Sequence, residues 1–239
     1  MLPNRKAVRL VEEGGEVWEV VTESGERFGA RAVVSSLPPW QLRRLERPPT
    51  LSGAWISWNA SPIIGIHLWL REPLLEEPLI GLLGTEIHWV FNKTRLWAHA
   101  PKNTGSEADG QYLSLVISGA ARHILKSPTE LREMACRDLA LCFPGFKKAM
   151  ISTWSVTKEP FATPSPVPGS DAWRPDPAVP VGNFYYVGDW TQTGLPATIE
   201  SAVASGHACA QAILSRAGSA DGSASGARAG RSSRGELHD

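Results

Sequence analysis

Near the carboxyl end of the chain, the order of residue types has a chemical logic. An apolar run of Phe184, Tyr185, Tyr186 and Val187 ends in Gly188-Asp189. A loop follows, and a helical pattern starts at Pro196 or Ala197 and runs to Leu214. Glycine at a strand end lets a backbone approach a ligand closely, and a carboxylate beside it accepts hydrogen bonds from ligand hydroxyls. The first helical turn, at Ala197 and Thr198, offers backbone N–H groups without intrahelical partners. It also carries the positive end of the helix dipole, which favours partial negative charge on a ligand carbonyl or ring nitrogen. Ile199, Ala202, Val203, Gly206, Ala210 and Ile213 share one helical face, small enough to meet a sheet or a flat ligand closely. The same spacing also describes an ordinary strand-loop-helix with a capping aspartate, and the residues alone leave both readings open. The sequence has no Ser-His-Asp or Gly-x-Ser-x-Gly arrangement and no histidine pair at metal-ligand spacing. No catalytic side chain and no metal ligand is therefore assigned. His67 and His88 lie in strand-like runs, as packed or pocket-lining residues, and His207 is expected on the surface or the packed side of the last helix.

These groups need a scaffold, and the rest of the chain supplies one. Val8, Leu10 and residues 17–21 read as strands joined by a turn at Glu13-Gly14-Gly15. A second turn falls at Ser24-Gly25-Glu26, and Ala32-Val33-Val34 reads as a buried strand of a larger sheet. In residues 62–70, Ile64, Ile66, Leu68 and Leu70 alternate with Ile63, Gly65, His67 and Trp69, so both faces of this strand are expected to be covered. Further strands are predicted at 79–83, 88–92, 96–100, 112–118 and 154–157, giving a mostly antiparallel sheet of four to six strands. Residues 103–110 read as a polar loop. Ser127, Pro128 and Glu130 form a helix start with a capping box, and Pro144-Gly145 stops that helix after about Cys142. The proline-rich stretch 161–180 predicts an extended connector, and 217–239 predicts a disordered tail.

Composition narrows the classes. The chain has 239 residues, with 24 Lys plus Arg against 24 Asp plus Glu, so its net charge is zero. That length holds one or two domains with a real core, and the neutral balance argues against a nucleic-acid binder. Cys136, Cys142 and Cys209 are too few and too scattered for a disulfide framework, which fits a reducing compartment. The N-terminus has no apolar run of the signal-peptide kind. The uncharged stretch 48–70 is broken by Pro49, Gly53, Asn59, Pro62 and Gly65, so it does not read as a spanning helix; peripheral membrane contact stays open. Tryptophan stands out, with ten residues, six of them from Trp40 to Trp97.

The segment Val187-Gly188-Asp189-Trp190-Thr191, continuing through Leu195-Pro196-Ala197-Thr198-Ile199-Glu200-Ser201-Ala202-Val203 and Ser205-Gly206, resembles the carboxyl-terminal flavin-binding motif of the FAD-dependent amine oxidase and carotenoid desaturase superfamily. Its Asp-Trp-Thr and Gly-Leu-Pro-Ala-Thr-Ile-Glu variant is most similar to the hydroxysqualene dehydroxylases, as are Ser61-Pro62-Ile63, His67-Leu68-Trp69, Gly81-Leu82 and Trp89-Val90-Phe91-Asn92-Lys93. Lys158-Glu159, Thr163 and Arg174-Pro175 add a weaker likeness. The resemblance covers residues 5–215. It implies FAD as cofactor, with Asp189 after Gly188 on the ribityl chain. Leu195, Pro196, Ala197, Thr198 and Ile199 would meet the isoalloxazine edge, and the backbone of Val8 the adenine. It further implies an α/β (α+β) fold, with an incomplete Rossmann-like FAD domain beside a mostly antiparallel β-sheet substrate domain. The expected parts are 1–49 (hairpin and return strand), 50–178 (substrate domain), 179–215 (FAD-binding strand-loop-helix) and 216–239 (tail). His67, Trp69, Trp89 and Phe91 are expected to line an apolar pocket for a hydrophobic isoprenoid, with core packing as the competing reading.

One departure matters. The superfamily's first strand-G-x-G-x-x-G-helix unit, which seats the pyrophosphate, has no counterpart, because Gly14, Gly15, Gly25 and Gly29 lie in hairpins. The chain is therefore expected to be a carboxyl-terminal part, as a truncation, a mis-called start or one half of a split enzyme. Alone it is expected to be inactive, with the missing dinucleotide-binding half as a partner. The expected activity is reductive removal of the hydroxyl of hydroxysqualene to give squalene for hopanoid synthesis. Carotenoid desaturation, amine oxidation, and a non-catalytic remnant or lipid-binding module are the alternatives. The expected location is the cytoplasm, with contact at the inner face of the membrane open.

Overall fold

The computed structural model describes residues 1–53, 58–97 and 110–228, with side chains described up to residue 218 except that of Trp18. The chain divides into two compact units, residues 1–59 with 164–239 and residues 60–163. The second lies inside the expected 50–178, because strands at 60–70 and 151–164 mark where the chain enters and leaves one sheet.

In the first unit, β1 (Ala7–Glu13), β2 (Glu16–Thr22) and β3 (Arg27–Gly29) form an antiparallel three-stranded sheet. The β1–β2 turn is made by Gly14 and Gly15, with φ of 62° and 85°, the left-handed pair that matches strand twist in a two-residue hairpin. β4 (Val33–Ser35) pairs in parallel with β10 (Phe184–Tyr186). All three β10 residues are buried, and alternation sends them two ways. Phe184 and Tyr186 join Leu10, Val17, Leu42, Leu51, Trp58 and Trp190. Tyr185 and Val187 meet Cys209, Ala212 and Ile213 of the terminal helix α4 (Ile199–Arg228). A sheet strand covered on both faces is apolar throughout. Asn183 ties β10 to the hairpin: Val17 N–H donates to its Oδ1 at 2.7 Å, and its Nδ2 donates to the Val17 carbonyl at 2.9 Å. The short helix α1 (Pro39–Leu42) adds Trp40 and Leu42 to the buried set.

The second unit is a five-stranded sheet in the order β6-β7-β8-β5-β9. Its strands are β5 (Ala60–Leu70), β6 (Leu79–Gly81), β7 (Trp89–Asn92), β8 (Gln111–Ser118) and β9 (Ile151–Pro164). Helix α3 (Pro128–Cys142) carries the expected capping box on Ser127 and Glu130. Its Leu131, Met134, Ala135 and Leu139 share one core with Ile64, Ile66, Leu68, Val90, Leu113, Leu115 and Ile117.

Several expectations change. Residues 96–100 are not a strand where described: α2 (Lys93–Leu96) is a helical turn, because buried Asn92 accepts from Arg95 N–H at 3.1 Å and donates to the Leu75 carbonyl at 3.1 Å. Residues 98–109, which include most of the expected polar loop, lie outside the described set. The strand expected at 154–157 is fourteen residues long and reaches into the proline-rich stretch, where Ser170–Trp173 adds a 3₁₀ turn. α4 continues to Arg228 rather than ending at Leu214; no proline falls in that stretch to stop it. Residues 229–239 of the expected tail lie outside the described set. Of the tryptophans clustered from Trp40 to Trp97, Trp58 packs in the core of the first unit although it falls within the expected substrate domain 50–178, and Trp55 is outside the described residues.

Candidate functional site

The Gly-Asp segment is built from the end of β10 outward. Gly188 has φ of 134°, and a Cβ there would lie 2.9 Å from Cδ1 and Nε1 of Trp190. Its N–H donates to Ser205 Oγ at 2.8 Å, and its carbonyl accepts from Thr191 Oγ1 at 2.8 Å. The space left by its missing side chain therefore seats the Trp190 indole. Close approach at Gly188 is thus made by Trp190, a neighbour in the chain.

Asp189 is half-buried. Burial pushes its carboxyl above the usual aspartate range, while its own N–H, the nearby Arg174 guanidinium and the Trp190 N–H pull it back. Arg174 organises the loop. Its side chain is 7% exposed, and it donates to the Leu195 carbonyl at 2.7 Å and the Asp189 carbonyl at 3.1 Å. Gln192 N–H bonds to the Pro175 carbonyl at 2.9 Å, so the 174–175 segment holds the loop at three points.

The helix begins at Ile199, later than Pro196 or Ala197, because Thr198 is its cap: Thr198 Oγ1 accepts from Ser201 N–H at 3.3 Å. The face of α4 that packs is also shifted from the one the spacing predicts, of which Ile213 packs and Ala202 is half-buried. Ser201, Ser205 and Cys209 are buried, whereas Ile199 and Val203 are 87% and 49% exposed and Gly206 and Ala210 are open. The reason is hydrogen bonding. Ser205 takes the Gly188 N–H, while Ser201 donates to the Asp189 carbonyl at 3.3 Å and meets Thr193 Oγ1 at 2.7 Å. A loop full of backbone polar groups draws the helix's hydroxyl face inward. Leu195 and Ile199 stand exposed beside the helix start, with Pro196 and Thr198 exposed and Ala197 half-buried. His207 is exposed, which selects the surface alternative of the two expected.

Val8 is on β1, where the register leaves it without a β2 partner, and its carbonyl accepts from Glu46 N–H at 2.9 Å. Asp189, Leu195, Pro196, Ala197, Thr198 and Ile199 thus form one segment, and Val8 belongs to another element.

His67, Trp69, Trp89 and Phe91 all lie on the face of the five-stranded sheet opposite the α3 core. Register places His67 and Phe91 on either side of Ser114, Trp69 beside Tyr112, and Trp89 beside Val116. Trp69 stacks on Tyr112 with centroids 4.6 Å apart and planes 2° from parallel, and Trp97 tilts against Tyr112 at 5.7 Å. Lys93 Nζ sits 5.3 Å from the Phe91 ring centre and 5.2 Å from that of Trp97. Trp89 packs over Gly81, and His88 is exposed. His67 Nδ1 lies 2.9 Å from Tyr112 Oη and its Nε2 3.3 Å from Thr157 Oγ1. Burial, helped by Lys93, holds the imidazole below its usual pKa. Burial also raises the Tyr112 phenol.

Sequence reasoning did not single out Arg174 as a clamp, although an arginine within a proline-rich connector is a weak signal for one. It also missed Tyr112, whose role depends on a register no local pattern reveals.

A family model described as flavin containing amine oxidoreductase matches residues 4–214. The chain is 29% identical over 184 residues to a hydroxysqualene dehydroxylase of Sinorhizobium fredii, covering 77% of this chain and 39% of that protein. It is 31% identical over 206 residues to a 15-cis-phytoene desaturase of Synechococcus elongatus, covering 78% of this chain and 40% of that one. A solved structure of a putrescine oxidase variant superposes with a TM-score of 0.68 at 17% identity, over 89% of this chain and 49% of the other, a likeness of fold. The chain spans about two fifths of the length of these curated relatives.

Proposed function

The chain belongs to the flavin containing amine oxidoreductase family, and on that premise we propose that it is the carboxyl-terminal part of an FAD-dependent oxidoreductase acting on a C30 isoprenoid, with reductive dehydroxylation of hydroxysqualene as the reaction. The observation that carries the cofactor assignment is the 188–199 segment. It combines a half-buried carboxylate, a loop clamped by Arg174, and a helix start flanked by exposed Leu195 and Ile199. A ribityl hydroxyl suits the Asp189 carboxylate, and a flat ring suits the apolar ground at Leu195, Pro196, Ala197, Thr198 and Ile199, with the dipole of α4 behind it. Val8, at its irregular point on β1, is the candidate for the adenine, and Gly188 supports the loop through Trp190. Bound there, the flavin would supply hydride chemistry. The protein's part is to hold the ring and exclude water.

The isoprenoid assignment draws support from the named activities of the two relatives and from the aromatic face around Trp69, Trp89 and Phe91. The segment carrying the pyrophosphate motif is the proposed partner. A C30 isoprenoid dissolves in lipid, so the proposed location is cytoplasmic and peripheral to the inner membrane face.

The test is product analysis with a protein that joins this chain to a dinucleotide-binding segment. Hydroxysqualene converted to squalene is the expected result. Conversion of phytoene instead would favour the desaturase reading, which the match to the Synechococcus elongatus protein supports. Flavin fluorescence quenched on adding this chain, and not on adding Asp189→Ala, tests the cofactor site separately.

A further inference from the structure

The aromatic sector of the second unit's sheet has a polar boundary. Trp89 and Phe91 on β7, then Tyr112 on β8 and Trp69 on β5, present rings. The next strand, β9, instead carries Thr153, Ser155 and Thr157, all exposed, at alternate positions to the core-packed Trp154 and Val156. At the junction three side chains from three adjacent strands are linked: the Tyr112 phenol to His67 Nδ1 at 2.9 Å, and His67 Nε2 to Thr157 Oγ1 at 3.3 Å. Packing alone does not require this. A phenylalanine at 112 would stack equally well on Trp69, and an apolar residue at 67 would remove a half-buried imidazole from the middle of a sheet.

We propose that Tyr112, held by His67, is a specificity-determining residue that hydrogen-bonds the hydroxyl of an isoprenoid alcohol lying on this face, so that the site takes the alcohol in preference to the hydrocarbon. The inference rests on the isoprenoid reading above and assigns the choice of the alcohol to one residue. The chemistry works in both imidazole tautomers. With Nε2–H donating to Thr157, Nδ1 accepts the Tyr112 O–H, and the phenol oxygen keeps lone pairs for the alcohol's O–H. With the proton on Nδ1, His67 donates to the phenol oxygen, and the Tyr112 O–H turns to the alcohol's oxygen. An alcohol both donates and accepts and so satisfies either arrangement, whereas a hydrocarbon satisfies neither and leaves the phenol without a partner on that side. The lowered basicity of His67 keeps the ring neutral near pH 7, and a neutral ring can still accept at one nitrogen.

The experiment titrates the purified full chain, in detergent micelles, with hydroxysqualene and with squalene, following quenching of tryptophan emission. The wild type is expected to hold the alcohol about tenfold more tightly, as one half-buried hydrogen bond allows. Tyr112→Phe keeps the ring and is expected to bind both ligands with the wild type's affinity for squalene. His67→Phe leaves the phenol unheld and is expected to lose most of the discrimination. It also tests the assignment if Tyr112→Phe fails to give the wild-type near-ultraviolet circular dichroism. Equal affinity of the wild type for both ligands, or discrimination that survives in either folded variant, overturns the assignment of Tyr112 and leaves the isoprenoid reading standing. Binding of neither ligand by the wild type overturns the isoprenoid reading itself, and the assignment with it.

Discussion

The side chains of Ile64, Ile66, Leu68, Val90, Leu113, Leu115 and Leu139 of the five-stranded sheet and its helix have no accessible surface, and they pack on one another as one apolar core. The segment from Gly188 to Ser205 is held by other means. Its loop hangs on the Arg174 guanidinium, its helix turns Ser201 and Ser205 inward, and apolar Leu195, Ile199 and Val203 are left at the surface beside polar Gln192, Thr198 and Glu200. Apolar burial is non-directional and tolerates sliding, whereas hydrogen bonds fix atoms in place. A region that only has to stand can rely on the first. One that must hold a carboxylate and a helix start at fixed positions needs the second, and here Leu195, Ile199 and Val203 are left for something else to cover.

Variants can break that contrast, beginning with the largest effect. Leu139→Ala, in the sheet unit's core, is expected to cost about 2–5 kcal/mol, seen as a lower urea midpoint. Arg174→Met removes the charged clamp on two carbonyls and is expected to cost about 1.5–3 kcal/mol. Lysine should restore only part of it, because one ammonium does not reproduce the guanidinium fork; the same urea titration checks both. Ser127→Ala breaks the α3 capping box at a cost of about 1 kcal/mol, read from the thermal midpoint.

The smallest change sharpens the contrast most, because it has the opposite sign. The Asp189 pKa is raised in the folded chain, first by burial. Its protonated form is therefore the one folding favours: the stability it contributes is present below the unfolded value and is lost as pH rises from about 3.8 through the raised folded value. Asp189→Asn is expected to raise the melting temperature at pH 7 and flatten its fall above pH 4, while weakening flavin binding. A lower melting temperature at pH 7 would show that the carboxylate stabilises the loop rather than straining it.

Much of this was legible locally. The glycine hairpin turn, the Ser127-Pro128-Glu130 helix start and the alternation of residues 62–70 depend on neighbours a few positions apart, and each formed as expected, except that the 63–69 face of the strand is half-buried rather than covered. The shift in the packed face of α4 was not legible. Ile199 and Val203 look like a packing face until the loop's carbonyls and N–H groups are in place to bind Ser201 and Ser205. Residues 96–100 read as a strand because the Asn92 cap depends on Leu75, seventeen residues away.

The sequence by itself determined the family, the strand-Gly-Asp-loop-helix order and the core-forming face of the 62–70 strand, because periodicity and short-range turn chemistry are written in adjacent residues. Only the tertiary structure decided that Gly188 seats Trp190, that Arg174 clamps the loop, and that Tyr112, His67 and Thr157 meet on one face. Those contacts join residues 2 to 90 positions apart, and strand register, which no local pattern specifies, sets the longest of them.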